Sequence, residues 1–298
     1  MSSSSNDLCR ESKIYAKLGR AQSSSLDLGI HRSRLAGLGL EYADFREYQP
    51  DDDVRYVDWR LSARSVDIYG EMKLFTKVFF SERRCEEVVV LDLSESMASY
   101  GKLLTAIYAV SMILELAHRL GDTVTLVLLG DRARIFPRMS PREAIGRIID
   151  TVCRGSLPKR SYLHHLAELL KKMKRSKPVM VFTDYGHEVE ELVELLTVAR
   201  TRFVPLAMVL AIHRWEVEPP MDRGFVALMD LEQGFEILDD VVEIYEAIAK
   251  HVSMFRAYME SFGVPYLELR GLEHVRSTWF RLLDLFVRIR QGTPSPRI

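Results

Sequence analysis

Short, continuously apolar runs alternate with longer segments of helical period in the part of the chain that follows Glu87. The run at residues 88–93 is apolar at almost every position, which is typical of a strand that is buried on both faces. Similar runs predict strands at residues 123–129, 179–183 and 204–210. Because strands that alternate with helices usually form a parallel sheet, the pattern predicts an α/β fold with a mostly parallel central sheet and helices on both faces.

The segments between these strands carry apolar residues at helical spacing. Residues 102–120 are apolar on nearly every side, which predicts a helix enclosed between the sheet and other elements. We expect one domain over residues 85–290, with an inserted segment near residues 213–262. The remaining expected elements are helices at 162–173, 189–199, 239–262 and 272–289, and strands at 133–136, 225–232 and 265–269.

The two ends and the first quarter of the chain lack such a period. A serine run near the start and two prolines with a glycine near the end predict disorder over residues 1–9 and 291–298. Residues 10–84 mix aromatic and charged side chains without a sustained repeat. We therefore predict that residues 10–84 form an N-terminal extension or small subdomain.

The composition narrows the class of protein. A chain of 298 residues with 47% hydrophobic residues has enough apolar side chains for a large core, and its formal net charge of -1 gives no overall attraction to nucleic acid or anionic membranes. Because we find neither a run long enough to cross a bilayer nor a signal peptide, we expect a cytoplasmic protein without a transmembrane segment. The basic run at residues 171–175 is interpreted as solvated helix surface, and no nucleic-acid partner is expected.

The cysteine pattern favours free thiols. Cys9, Cys85 and Cys153 are an odd number and show no CxxC spacing. The chain therefore lacks the sequence pattern of a disulfide framework or a zinc site.

Oxygen-bearing side chains follow the ends of two predicted strands. Asp92, Ser94 and Ser96 alternate after the first buried strand, at the sheet edge where α/β proteins build ligand sites. Asp184 ends another strand in the same way, and Ser161 can add a hydroxyl from a loop. Carboxylate and hydroxyl oxygens suit Mg²⁺, with Mn²⁺ and Ca²⁺ as alternatives. The sequence therefore predicts a divalent metal site.

Each of these residues also has an ordinary structural interpretation. Ser94, Ser96 and Ser161 can cap helices, and Asp184 can occupy a turn. Two buried aspartates at strand ends are nevertheless costly unless a cation or other partner compensates them, which favours the metal site.

Histidines near these segments show no orienting carboxylate in the sequence. For His164, His165 and His187 we therefore expect a surface or helix-packing role rather than catalysis.

The segment Asp92-Leu93-Ser94-Glu95-Ser96-Met97 resembles the metal-ion-dependent adhesion site of von Willebrand factor A domains, which have a Rossmann-like sheet. The resemblance implies that Asp92, Ser94 and Ser96 form the first ligand cluster. Ser161 stands where that fold usually has a threonine, and Asp184 stands at the last ligand position.

The block at residues 45–64, FREYQPDDDVRYVDWRLSAR, resembles the hallmark of the domain of unknown function 58 family, which couples it to a von Willebrand A-like domain. Residues 230–234 resemble a further stretch of that family. The resemblance implies a MoxR-type AAA ATPase as partner and a role in the assembly or maturation of protein complexes.

Physically, this block allows two interpretations. Its alternating acidic and basic residues can form an ion-pair network that fixes a small domain. Alternatively, Trp59, Arg60 and Arg64 form a docking surface, since tryptophan and arginine are enriched where proteins bind most tightly.

Two functions of different classes follow from the motif. We expect a non-enzymatic adaptor whose metal ion binds an acidic residue of a protein partner. The enzymatic rival is a magnesium-dependent phosphohydrolase of the haloacid-dehalogenase type that uses Asp92. Such enzymes normally have a second carboxylate two residues later, where this chain has Ser94.

Overall fold

The computed structural model describes residues 5–25, 42–48, 57–65, 73–79, 85–219, 221, 223–229 and 236–291. Two compact units are present: Leu26–Arg84 forms one, and Met1–Ser25 together with Cys85–Ile298 forms the other. In chain order, the helices and strands are α1 Ser5–Ser25, β1 Tyr42–Glu47, α2 Trp59–Ser62, β2 Phe75–Phe79, β3 Glu86–Asp92, α3 Glu95–Ala98, α4 Lys102–Arg119, β4 Thr123–Leu129, β5 Arg134–Met139, α5 Pro141–Cys153, α6 Leu163–Lys172, β6 Val179–Thr183, α7 Val189–Thr201, β7 Leu206–Ala211, α8 Arg214–Val217, β8 Phe225–Met229, β9 Glu236–Asp240, α9 Val241–Ser261, β10 Tyr266–Leu269 and α10 Leu272–Gln291.

A six-stranded sheet organises the larger unit, in the order β10-β7-β6-β3-β4-β5. The edge strand β5 is antiparallel to β4, and every other neighbouring pair is parallel. Strand β3 is central, since Val89 lies opposite Leu126 on one side and Met180 on the other. The predicted mostly parallel sheet is confirmed, and the carboxyl ends of β3 and β6 lie next to each other at one edge.

Alternate residues of each strand face opposite layers of helices. Val88 and Val90 belong to a core that includes Leu166 of α6, Leu195 of α7 and Phe255 of α9. The other face is covered by α4, which is buried from Lys102 to Ala117 and contacts α1, α5 and α10. Helices therefore cover both faces, and α4 is the enclosed helix that its apolar sequence predicts.

The described residues include one helical segment, Glu95–Arg119, whose length and composition would allow it to cross a membrane. Of the 18 most apolar consecutive residues in this segment, 78% are buried inside the fold. The apolar surface of this segment is accounted for by packing, as is usual for a core helix.

Helix α1 packs against α4 through small side chains. Its buried positions are Ser12, Ala16, Gly19 and Ser23, whereas the larger Ile14 and Leu18 are 45% and 44% exposed. A Cβ atom on Gly19 would collide with the main-chain oxygen of Tyr108, so this glycine permits the close approach of the two helices. The structure thus differs from our prediction, which treated residues 1–9 as disordered and began a separate segment at residue 10. The sequence of this helix shows no apolar stripe, because the side chains on its buried face are small rather than strongly hydrophobic.

A disulfide joins α1 to α5. Cys9 is bonded to Cys153, while Cys85 keeps its thiol. Our expectation that all three cysteines are free thiols is therefore wrong for Cys9 and Cys153. The packing of α1 brings together two cysteines 144 residues apart, and no local spacing reports such a contact.

The smaller unit contains an antiparallel pair, β1 and β2, and the short helix α2. Asp58 caps this helix, since its Oδ1 accepts hydrogen bonds from the main-chain N–H groups of Arg60 and Leu61 at 3.1 and 3.0 Å. Trp59, Arg60 and Arg64 are exposed, with Trp59 57% exposed. Their predicted docking role stays a prediction, and the acidic run at residues 51–53 lies outside the described residues.

Candidate metal centre

Asp92 lies at the carboxyl end of β3, fully buried, and uses both oxygens as acceptors. Its Oδ1 accepts from the main-chain N–H of Ser94 at 2.8 Å, and its Oδ2 accepts from the hydroxyl of Thr183 at 2.6 Å. A third partner, His187, lies 3.1 Å from Oδ2 through its Nε2. A carboxylate has about four acceptor sites, so these contacts orient the group and leave about one site for a metal ion or a metal-bound water.

The hydroxyls of Ser94 and Ser96 lie 3.0 Å apart, directly after Asp92. Ser94 occupies the N-cap position of α3, but its side chain makes no capping hydrogen bond. The ordinary interpretation of Ser94 as a capping residue therefore fails, and its hydroxyl is directed toward that of Ser96.

Asp184 directly follows β6 and is buried. Oδ1 accepts the main-chain N–H of Gly186 at 2.8 Å. A Cβ atom on Gly186 would stand 2.9 Å from Asp184 Oδ1 and 3.5 Å from Ser96 Oγ. The two oxygens thus border one small space that a side chain at position 186 would enter, as expected of a cradle for an ion.

Lys102, the first residue of α4, contributes a buried ammonium to the same place. Its Nζ donates to Asp184 Oδ2 at 2.7 Å and also to Oε1 of Glu216. Burial alone would lower the pKa of Lys102, but the negative charges of Asp184 and Glu216 raise it above its usual value. The lysine is therefore charged, and it pairs with the second predicted metal-binding carboxylate.

His187 is buried between Asp92 and Thr183, with Nε2 also 2.6 Å from the Thr183 hydroxyl. Burial would lower the pKa of the imidazole, but the hydrogen bond and charge of Asp92 raise it. Burial likewise would raise the pKa of Asp92, but the hydrogen bond and charge of His187, with bonds from Thr183 and Ser94, lower it. Each group of the pair thus favours the charged form of the other.

Three of these groups are near enough to share an ion: carboxylate oxygens of Asp92 and Asp184 and a ring nitrogen of His187 lie within 4.8 Å of one another. Nε2 of His187 already faces Oδ2 of Asp92 and the hydroxyl of Thr183. We therefore treat His187 as the residue that orients Asp92, in the manner of a second coordination shell. The oxygens of Asp92, Ser94, Ser96 and Asp184 remain, and this donor set fits a hard divalent cation.

Ser161 is buried in the loop that precedes α6. The same loop reaches the metal-site segment, since the main-chain oxygen of Pro158 accepts from the N–H of Glu95 at 3.1 Å. The loop therefore lies at the predicted edge of the sheet, and the role of Ser161 as a ligand stays a prediction.

Exposed aromatic rings lie beside the segment that carries Glu216. Tyr100 stacks on His213 with ring centroids 4.6 Å apart, and Trp215 lies edge-on to both rings. Tyr100 and Trp215 are 60% and 56% exposed. Tyr100 has a φ of 53°, a left-handed backbone conformation that is strained for a residue other than glycine. Gly101 follows it with a φ of 72°.

Sequence reasoning missed several residues of this site. The surface or helix-packing role expected for His187 is wrong, because its ring is buried and hydrogen-bonded to Asp92, 95 residues away in the chain. His164 and His165 do fit a packing role, as both rings lie against Tyr162. Lys102 and Glu216 gave no sequence signal, because the pairing of Lys102 with Asp184 and Glu216 joins three distant segments.

A mostly parallel sheet with one antiparallel edge strand, helices on both faces and DxSxS after the central strand define a von Willebrand factor A-like domain. Residues 44–252 match the family model described as "Protein of unknown function DUF58", so the chain belongs to this family, as predicted.

Known relatives and structures are similar to this chain at low identity. Uncharacterized proteins of Mycobacterium tuberculosis and Mycobacterium bovis are 27% identical over 262 residues, which cover 81% of this chain and 78% of each relative. The crystal structure of the conserved hypothetical protein BatB from Bacteroides thetaiotaomicron has a TM-score of 0.41 at 13% identity, covering 68% of this chain and 99% of that one. A von Willebrand factor type A structure from Catenulispora acidiphila has a TM-score of 0.40 at 10% identity, covering 73% and 44%.

Proposed function

We propose that this protein is a non-enzymatic adaptor that binds a protein partner through a divalent cation, most simply Mg²⁺. The observation that carries the proposal is the convergence of Asp92 and Asp184 with the hydroxyls of Ser94 and Ser96, with Gly186 leaving space between Asp184 and Ser96. The ion would retain a coordination position that a carboxylate of the partner can fill.

The exposed rings of Tyr100 and Trp215 supply a second element of this proposal. Large exposed aromatic side chains are the most frequent anchors of protein interfaces, and these two lie beside the segment of Glu216. We propose a partner that presents an acidic residue to the ion and an apolar side chain to these rings. Family resemblance favours a MoxR-type AAA ATPase, with a role in the assembly or maturation of protein complexes.

The first experiment measures metal binding by calorimetry with Mg²⁺ and Mn²⁺ alone. Asp92→Asn should abolish binding, while Asp131→Asn should leave it unchanged, because Asp131 is an exposed residue just beyond β4 at the same edge of the sheet. The same variants are then compared in pull-downs from native extract with Mg²⁺ or EDTA, with a MoxR-type ATPase as the named candidate. If Asp92→Asn retains the same partners as the wild type in Mg²⁺, a metal-bridged contact is excluded.

The phosphohydrolase alternative requires Asp92 to attack a phosphoryl group. Both carboxylate oxygens of Asp92 already accept hydrogen bonds, from Ser94, Thr183 and His187, which reduces the capacity of either oxygen to act as a nucleophile. A phosphatase assay with Mg²⁺ separates the two functions. Robust turnover that disappears in Asp92→Asn would contradict the adaptor proposal.

A further inference from the structure

Lys102 occupies a position that is unfavourable for a lysine in two ways. Its side chain is only 3% exposed, and burying an ammonium is costly even when it is paired. It is also the first residue of the 18-residue helix α4, whose dipole disfavours positive charge at this end. An apolar residue would avoid both costs, but it would leave the buried carboxylate of Asp184 without a counter-charge, so Lys102 compensates a group that would otherwise need another cation.

The ammonium of Lys102 uses the same carboxylate that a metal ion would need. Its Nζ lies 2.7 Å from Oδ2 of Asp184. A divalent ion bound to Asp184 would stand within a few ångströms of this charge, where water screens poorly and Coulomb repulsion is several times the thermal energy. Lys102 therefore opposes the binding of a metal ion by itself.

Glu216 offers Lys102 a second carboxylate that does not depend on the metal site. Its Oε1 accepts from Lys102, and its Oε2 accepts from the main-chain N–H of His213 at 2.9 Å, as part of a capping box on α8. The position of this carboxylate is thus fixed by its own helix. The ammonium can remain paired with Glu216 when Asp184 turns toward a metal ion.

We infer that Lys102 is a built-in cation that keeps Asp184 occupied and weakens the binding of free metal, and that Glu216 receives the ammonium when metal and an acidic group of the partner bind together. The partner's carboxylate adds the negative charge that offsets the repulsion between the ion and Lys102. Metal and partner binding are thereby coupled. This inference rests on the proposed function and concerns the regulation of the same site.

The test is the affinity of the full-length chain for Mn²⁺ and Mg²⁺ alone, measured by calorimetry at fixed pH. Lys102→Met should bind metal at least about tenfold more tightly than the wild type, because one unit of repulsion is removed. Glu216→Gln should bind metal more weakly, because the ammonium then depends on Asp184 alone. Lys171→Met is the matched control, since Lys171 pairs with two glutamates on the helix surface, and it should not change the affinity.

Equal or weaker metal binding by folded Lys102→Met overturns the inference. If circular dichroism shows that this variant does not fold, Lys102→Met/Glu216→Gln replaces it, because this double substitution removes one charge of each sign. A smaller gain in affinity is then expected, because Asp184 is released but a nearby negative charge is lost as well. Adding Asp92→Asn to the variant that binds metal more tightly must abolish the gain in metal affinity. This result assigns the gain to the proposed metal site. If neither the wild type nor the Lys102 variants bind metal, the proposed function fails as well, whereas equal affinities overturn only the role of Lys102.

Discussion

Nε2 of His187 lies 3.1 Å from Oδ2 of Asp92, and both side chains are almost completely buried. A buried carboxylate that loses a charged hydrogen-bond partner keeps the cost of its own burial. The imidazole therefore fixes the orientation of the Asp92 carboxylate, the first carboxylate of the proposed metal centre.

Replacement of His187 should consequently destabilise the fold. We expect His187→Ala to lower the free energy of unfolding by about 2–4 kcal/mol, measured by urea denaturation in EDTA. His164→Ala is the control, because His164 is half-buried and its Nδ1 stands 3.9 Å from Glu191, a weak contact. Equal losses in the two variants would contradict the orienting role of His187.

The exposed ring of Trp215 should contribute to partner binding without contributing to metal binding. We expect Trp215→Ala to weaken metal-dependent retention of the partner about tenfold or more, as at other aromatic anchors, while calorimetry gives an unchanged affinity for Mn²⁺. Phe203→Gly serves as control, since Phe203 is also an exposed aromatic residue but precedes β7, at the opposite edge of the sheet. A loss of metal affinity in Trp215→Ala would show that the residue acts on the site instead.

Two glycines in helices should respond in opposite directions to the same substitution. Gly19→Ala places a methyl group against the main-chain oxygen of Tyr108 and should cost about 1–3 kcal/mol, because α1 must move away from α4. Gly146→Ala meets nothing within 4 Å on the exposed side of α5 and should stabilise by about 0.5–1 kcal/mol. Thermal or urea unfolding measures both, and a stabilised Gly19→Ala variant would disprove the close contact of the helices.

Phe203 has a backbone conformation that glycine adopts more easily. It ends α7 with a φ of 52°, its side chain is 86% exposed, and the bonds from Phe203 to Arg200 and from Val204 to Ala199 form a Schellman motif. Phe203→Gly should therefore raise the free energy of unfolding by up to about 1 kcal/mol.

The matched position is Gly263, which ends α9 in the same motif with a φ of 68°. Gly263→Ala should lower the free energy of unfolding by about 1 kcal/mol. A neutral or destabilising Phe203→Gly would mean that the ring contributes contacts that outweigh the backbone cost.

Glu87 should make stability fall as the pH rises. Burial raises the pKa of Glu87 from 4.5 to about 7, and the opposing effect of Arg290 is limited because that guanidinium also pairs with Asp122. Between pH 4.5 and 7 the folded state therefore holds more protons than the unfolded state. The contribution of protonated Glu87 to the free energy of unfolding is full below pH 4.5 and is lost as the pH rises through about 7.

The wild type should accordingly lose up to about 3 kcal/mol more than Glu87→Gln over this range, at ~1.4 kcal/mol per pKa unit. Urea unfolding at several pH values measures the difference, and the exposed Glu190→Gln should follow the wild type. Parallel curves for the wild type and Glu87→Gln would show that Glu87 is ionised in the folded state.

The sheet and the position of the oxygen-bearing side chains at its edge could be predicted because their signals are local. Strand β3 is apolar along its length, so its place in the centre of a parallel sheet follows from its own residues. The spacing of Asp92, Ser94 and Ser96 is equally local, and so is the position of Asp184 at the end of β6. Such features need no knowledge of what lies opposite them.

Helix α1 shows where this reasoning stops. Its buried residues are serine, alanine and glycine, and its larger apolar residues face outward, so hydrophobic spacing indicates the wrong face. Only the shape of α4, with Tyr108 near its middle, makes a glycine the residue that fits at position 19.

The sequence by itself thus determined which segments form the strands of the sheet and the helices between them, and that carboxylate and hydroxyl side chains follow the strand ends. Both features depend on neighbours within a few residues. Only the tertiary structure decided that Lys102 pairs with Asp184 and Glu216, that His187 orients Asp92, and that Cys9 meets Cys153. The physical reason is that a buried charged group is stable only beside the partners that compensate its charge. Those partners come from segments about 80 to 145 residues apart, which only the packed fold brings together.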